Sequence, residues 1–315
     1  MFCVNWAVFV YFYYHMPTVQ QPVLPNANDF RSVARALTVV ENDLPGATEL
    51  LQNLDLSKQV PVIGITGPPG AGKSTLVNAL ITDLCTDGKK VAVLAIDPTS
   101  PFNYGSLLGD RIRMSGHFNH PDVFIRSLAT RGSLGGLSAK TIEMSDVLRA
   151  SGFDYVLIET VGVGQSEIEI AGLADITLLV LVPESGDEIQ NIKSGIMEIA
   201  DAFIINKADR DGADAYYNAL RKLVNQKENT IPIYKTVASQ NTGVNEISGY
   251  IKQIPLSNNK RREYLLTEKA WQLIREQRMA GVDKNVLKKQ IAEVMQEPGF
   301  NLYQFLAPQP PEGGV

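Results

Sequence analysis

Along the chain, short β-rich and largely apolar runs alternate with longer segments that are apolar on one face only. The short runs are Val60 to Thr66, Val91 to Ile96, Val123 to Leu128, Phe153 to Glu159, Ile176 to Val182, Ala202 to Ile205 and Ile231 to Val237, and several of them are apolar on both faces. Strands that read as apolar on both faces are parallel strands covered by helices on both sides. Helical spacing fills the intervals: Ser74 to Cys85, Leu137 to Ala150, around Ile189 to Ile199, Ala213 to Val224 and Val244 to Ile254. The alternation predicts an α/β fold, a doubly wound and mainly parallel sheet. Before it, Phe30 to Leu56 has helical spacing interrupted by Pro45 and Gly46, which predicts two short helices. After it, Arg261 to Met279 and Asn285 to Met295 read as two amphipathic helices. The expected organisation is a lead-in over 1–29, N-terminal helices over 30–58, the sheet domain over 59–255, a helical arm over 256–307 and a tail over 308–315. No internal repeat is visible.

With 315 residues, 44% hydrophobic and 20% charged, the chain is long and apolar enough for one large core. Its formal net charge of −5 gives no support for a nucleic-acid surface. Cys3 and Cys85 form no metal-binding spacing, so they read as reduced thiols of a cytoplasmic protein. The aromatic stretch Phe2 to Tyr14 lacks the basic region and cleavage site of a signal peptide, and it is shorter than the ~20 residues that span a bilayer. No transmembrane segment is expected. The stretch reads as a disordered or loosely packed extension, or as residues ahead of a true start at Met16, with a weak membrane-surface anchor as the lesser alternative.

The phosphate chemistry is the most specific signal. Gly67-Pro68-Pro69-Gly70-Ala71-Gly72-Lys73-Ser74 fits GxxxxGK[ST] directly after a predicted strand and opens a predicted helix. In that pattern the backbone at Gly67, Gly70, Ala71 and Gly72 curls around phosphate, Lys73 reaches the β and γ phosphates, Ser74 is a Mg²⁺ ligand, and Thr75 adjoins the nucleotide. Two acids stand at predicted strand ends, Asp97 in Asp97-Pro98-Thr99-Ser100 and Glu159 in Glu159-Thr160-Val161-Gly162. In an open parallel sheet such ends converge on the ligand, so both are candidates for the Mg²⁺ side of the site. Glu159 to Gly162 has the shape of a DxxG switch with Glu for Asp, and the backbone of Gly162 would meet the γ-phosphate. Val163 stands where Ras-like proteins keep a water-orienting glutamine, which predicts slow intrinsic turnover unless a partner or another residue such as Gln165 places the water.

Base choice is read from Asn206-Lys207-Ala208-Asp209, an NKxD after a late strand. The Asp209 carboxylate can accept two N–H donors from guanine, a pair that adenine lacks. Lys207 would lay its stem on the base, and Asn206 would tie this loop to the phosphate loop. Val237-Ala238-Ser239 is the expected backbone contact to the guanine oxygen. His117 and His120, three apart with no Cys or acidic cluster beside them, read as surface or packing residues.

These motifs resemble the MeaB/ArgK family of P-loop GTPases. The resemblance covers about Phe30 to Leu306 and includes Gly109-Asp110-Arg111-Ile112-Arg113-Met114, Thr130-Arg131-Gly132 and the long string from Glu159 to Glu167. It implies a P-loop NTPase with helical N- and C-terminal extensions that binds GTP/GDP and Mg²⁺. It implies that Asp97, Asp110 and Glu159 surround Mg²⁺ and the γ-phosphate, with Asp187 to Lys193 as a further switch. It also implies a homodimer that chaperones an adenosylcobalamin-dependent acyl-CoA mutase, usually methylmalonyl-CoA mutase. A metallochaperone GTPase is disfavoured by the few Cys and His residues, and a lysine/arginine/ornithine transport-linked ATPase or kinase by the NKxD. A GTP-binding switch without turnover would keep binding and lose hydrolysis.

Overall fold

The computed structural model describes residues 24–97, 114–129, 140–160, 166–184, 199–224, 231–253, 260–279, 281–296 and 299–306. Helices α1 (Phe30–Glu41) and α2 (Ala47–Gln52) lead into β1 (Val62–Thr66), α3 (Lys73–Thr86), β2 (Val91–Asp97), β3 (Val123–Ala129), α4 (Lys140–Ala150), β4 (Tyr155–Glu159), α5 (Ser166–Leu173) and β5 (Ile176–Leu181). Then come β6 (Ala202–Ile205), α6 (Ala213–Val224), β7 (Ile233–Lys235), α7 (Val244–Gln253), α8 (Lys260–Met279), α9 (Lys284–Val294) and α10 (Leu302–Phe305).

Among the described residues the strands form one seven-stranded sheet in the order β3-β2-β4-β1-β5-β6-β7. Every pairing in it is parallel. Strand β1 lies between β4 and β5, so chain connections leave it toward both edges, and the loop after β1 opens at the point where the winding direction reverses.

Register is pinned at the starting ends by three aspartates used in the same way. The Val62 N–H donates to Asp175 Oδ2 (2.8 Å), the Thr177 N–H to Asp201 Oδ2 (2.7 Å) and the Lys90 N–H to Asp154 Oδ2 (3.0 Å). Each aspartate returns its own N–H to the carbonyl of the same residue, at 2.8 to 2.9 Å. Each pair satisfies strand-end groups that would otherwise lack a partner, and a one-residue slip would break both bonds.

Two cores flank the sheet. Ile63, Ile65, Val93 and Leu157 face α3 and α7. Val62, Leu94, Val156 and Ile158 face α1, α4 and α5. The N-terminal helix is part of this second core: Val33, Leu37 and Val40 are fully buried. The Phe30 ring meets Phe124 edge-on at 5.6 Å and stacks on Phe153 at 6.2 Å. Its start is capped by Asp29, whose carboxylate accepts from the Arg31 N–H at 3.0 Å.

Helix α5 differs from the sequence expectation, in which Ser166 to Leu173 carries no helical assignment. Its polar-apolar alternation at Ser166 to Ile170 resembles a strand. What holds it as a helix is burial of Ile170, Ala171, Leu173 and Ala174, one face at helical spacing. Ile170 and Ala174 occupy the space above Gly64, where a Cβ would lie 2.5 Å from Ile170 Cγ1 and 3.0 Å from Ala174 Cβ. The predicted helix over 189–199 falls almost wholly outside the described residues, as does the stretch Phe2 to Tyr14. Among the described residues, no helix is long and apolar enough to cross a membrane.

The chain divides between Leu265 and Leu266 into two units. The second contains most of α8, with α9 and α10. Asp283 caps α9, accepting from the Asn285 N–H at 2.7 Å. This unit exposes Leu266, Trp271, Ile274 and Val286, each at least 44% accessible.

Leu37→Ala tests whether α1 belongs to the sheet's core. The substitution should lower the unfolding free energy by about 2–5 kcal/mol, measured by denaturant titration. A change below about 0.5 kcal/mol would place the helix outside the core.

Candidate functional site

All strands run the same way, so the loops after β1, β4, β6 and β7 meet at one end of the sheet. The loop after β1 is shaped by what has no side chain. Gly67 has φ +141°, and a Cβ there would lie 2.1 Å from the Val180 carbonyl oxygen. Gly72 has φ +85°, and its Cβ would lie 2.4 Å from Asn206 Nδ2. Gly70 also takes a left-handed φ, of +80°. The loop closes with the Ala71 N–H donating to the Pro68 carbonyl at 3.2 Å, and α3 begins at Lys73. The amide end of α3 carries the positive end of the helix dipole, a setting for phosphate oxygens. The Lys73 ammonium is buried and spans the loop, donating to the carbonyls of Gly67 (2.8 Å) and Pro68 (3.1 Å). Ser74 is also buried; Thr75, the next residue of α3, is half-buried.

Opposite the helix start stands Glu159, last residue of β4, 4% exposed and in register with Ile65 of β1 and Ala95 of β2. The Ser74 hydroxyl donates to Glu159 Oε1 at 2.6 Å. A hydroxyl and a carboxylate side by side are hard oxygen donors. They fit Mg²⁺, which takes one or two carboxylates and completes its shell with water and substrate phosphate. Of Asp97 only the backbone is described: it ends β2 in register with Ala129, two residues past Ala95. Asp110, Gly162, Val163, Gln165, Arg131 and the segment Asp187 to Lys193 lie outside the described residues.

The third loop is organised by the Asn206 side chain. Its Nδ2 donates to the Ala71 carbonyl at 2.9 Å. Its Oδ1 accepts from the Ala238 N–H and from Thr236 Oγ1, each at 3.2 Å. A backbone N–H must donate and a carbonyl must accept, so these contacts leave one orientation for the amide. Lys207 follows with φ +56° and donates from Nζ to the Gly70 carbonyl at 2.8 Å, which lays its stem along the phosphate loop. Asp209 is exposed at the head of the loop. Beyond it, the Arg210 guanidinium pairs with Glu184 and holds that carboxyl below the usual range, with Lys207 adding to the effect. In the loop after β7, Val237 and Thr242 exchange backbone hydrogen bonds, and Ser239 lies in a single 3₁₀ turn, Ala238–Gln240.

The structure therefore brings together the glycine loop, Lys73, Ser74, Glu159, Asn206, Lys207 and the loop holding Ser239. Sequence reasoning missed three buried threonines at the same end. Thr236 is one. Thr66 and Thr160 are the others, joined hydroxyl to hydroxyl at 2.8 Å. Their signal was a hydroxyl residue at a strand end, next to Val237, Gly67 and Glu159 respectively. His117 rests its ring on α3, with Nε2 3.3 Å from Thr82 Oγ1, and burial lowers its pKa. Among the described residues, no group of three His, Cys, Asp or Glu could hold a metal.

Over residues 33–294 the chain matches the family model described as methylmalonyl-CoA mutase-associated GTPase MeaB. It is 51% identical over 233 residues to a candidate GTPase of Pyrococcus abyssi, covering 71% of this chain and 72% of that protein. It is 36% identical over 232 residues to a fused isobutyryl-CoA mutase of Geobacillus kaustophilus, covering 68% of this chain but only 21% of that protein. Among solved structures, an LAO/AO transport system kinase has the same fold, with a TM-score of 0.59 over 96% of both chains at 24% identity.

Asn206→Ala removes a donor and an acceptor that the Ala71 carbonyl and the Ala238 N–H depend on, at about 1–3 kcal/mol for each buried group left unsatisfied. GDP affinity, read by fluorescent-nucleotide titration, should fall at least tenfold. Unchanged affinity would show that the loops keep their places without the amide.

Proposed function

The chain belongs to the MeaB family of GTPases and hydrolyses GTP, and from that premise we propose that it couples hydrolysis to the chaperoning of an adenosylcobalamin-dependent acyl-CoA mutase. One observation carries the client assignment: a homologous segment forms part of a mutase polypeptide in Geobacillus kaustophilus. A module fused to a mutase in one protein is suited to work beside a separate mutase in another. Cofactor loading, protection and reactivation of the client are the expected tasks.

In this reading the glycine loop and the start of α3 hold the β and γ phosphates. Lys73 exchanges its carbonyl partners for phosphate oxygens, keeping its charge where negative charge develops. Mg²⁺, when bound, neutralises charge on the β and γ oxygens. Ser74 and Glu159 hold it, together with Asp97 and Asp110. Gly162 offers its N–H to the γ-phosphate. Val163 has no group that could orient water, so basal turnover is slow and responds to a partner. On the base side, Asp209 accepts the two guanine N–H donors and Lys207 covers one face of the ring. The N–H groups of Val237 and Ala238 are committed to Thr242 and Asn206, which leaves Ser239 to meet the guanine oxygen.

The helical unit from Leu266 onward serves dimerisation in this proposal. Leu266, Trp271, Ile274 and Val286 are apolar side chains that a second copy would cover.

Phosphate release from GTP, measured with Mg²⁺ in the presence and absence of an acyl-CoA mutase, tests the proposal. The expected result is slow turnover that rises severalfold with mutase, and loss of the GTP response in Asp209→Asn, where the amide offers a donor to donors. Turnover that ignores the mutase would leave the GTPase and remove the client.

A further inference from the structure

Thr66 ends β1 and Thr160 follows the last residue of β4. They face each other because Ile65 and Glu159 are in register, and the Thr160 N–H extends the ladder by donating to the Ile65 carbonyl at 3.0 Å. The Thr160 hydroxyl donates to Thr66 Oγ1 at 2.8 Å, with both residues no more than 2% exposed. One neighbour of each threonine carries the chemistry described above. Gly67 follows Thr66, and Glu159 precedes Thr160.

Stability does not account for two hydroxyls here. The rest of β1 and β4 is built of Val, Ile, Leu, Tyr, a glycine under Ile170, and Glu159. Valine has the shape of threonine and better β-strand burial. Replacing both members of a buried hydrogen-bonded pair by apolar groups of the same shape is close to neutral for folding. What the pair adds is direction. A valine pair can slide and rotate, whereas a hydroxyl bond on top of a ladder bond fixes the end of β4 against the end of β1 in distance and rotation. The segment is held again further on, where Ile170 of α5 sits over Gly64 of the same strand.

The geometry points to Thr66 and Thr160 as positioning residues for GTP hydrolysis, joining the strand end that places Glu159 to the strand end that launches the glycine loop. They act through Glu159, which meets Ser74 at 2.6 Å. The inference rests on Glu159 belonging to the hydrolytic site.

The test compares Thr66→Val/Thr160→Val with wild type by thermal unfolding, GDP affinity, kcat, and the Mg²⁺ concentration giving half-maximal rate. The expected variant unfolds within about 2 °C of wild type, close to the neutral change expected of such a swap, and binds GDP within about twofold of it. Its kcat falls about tenfold or more, within the range that small misplacements cause, and its Mg²⁺ requirement rises. If the double variant does not fold, Thr160→Ser and Thr160→Ala decide: the first keeps the hydroxyl and the rate, the second loses both. An unchanged kcat, a loss explained by weaker GDP binding or lower stability, or failure of Thr160→Ser to keep the rate would overturn the inference. Glu159→Gln runs alongside. If that variant keeps full turnover, the site reading itself fails; if it is inactive while the valine pair is not, only this inference fails.

Discussion

The amide of Asn206 ties together three loops that no regular secondary structure joins. Parallel strands leave their final carbonyl and N–H groups at one end, where the chain must turn away and ladder bonding stops. Asn206 gives its donor to the Ala71 carbonyl and its acceptor to Ala238 and Thr236. Much of the neighbourhood follows from that. Gly72 can carry no side chain because the amide occupies the space. Lys207 takes a left-handed backbone conformation so that its ammonium reaches Gly70. On the other flank, the Val180 carbonyl closes against Gly67. The phosphate loop is thus held between a strand backbone and a side-chain amide, contacts that restrict its conformation and lower the ordering cost of binding.

Much of this was legible in the sequence, for definite reasons. Short, largely apolar runs identified the parallel strands, several of them apolar on both faces as strands covered by helices on both sides can be. GxxxxGK[ST] and NKxD were readable because each needs fixed residue types at fixed spacing and each follows a strand. The acids divide cleanly by position. Asp154, Asp175 and Asp201 stand at strand starts and serve register, whereas Glu159 stands at a strand end and meets Ser74. The rule that ligands gather beyond the carboxyl ends of strands separates the two sets without coordinates.

What the sequence could not show depends on contacts distant in the chain. Helix α5 has a strand-like alternation and is a helix because Ile170 and Ala174 find the space above Gly64. Helix α1 reads as an extension, yet Phe30 packs against both Phe124 and Phe153. Thr66 and Thr236 lie outside the motifs, and Thr160 occupies an unspecified position within Glu159-Thr160-Val161-Gly162. Their roles depend on register, which spacing alone does not give. Sequence, fold and comparison agree on a GTPase, and the mutase client is the step that the relatives' associations suggest.

This head of the sheet is built for guanine. Competition of GDP and ADP for a fluorescent guanine nucleotide tests it most directly. A site organised around paired N–H donors on the base should favour GDP over ADP by at least about 10³-fold, since a missing hydrogen-bonding partner leaves buried polar groups unsatisfied. Equal affinity for the two diphosphates would show that the base is not read at this site.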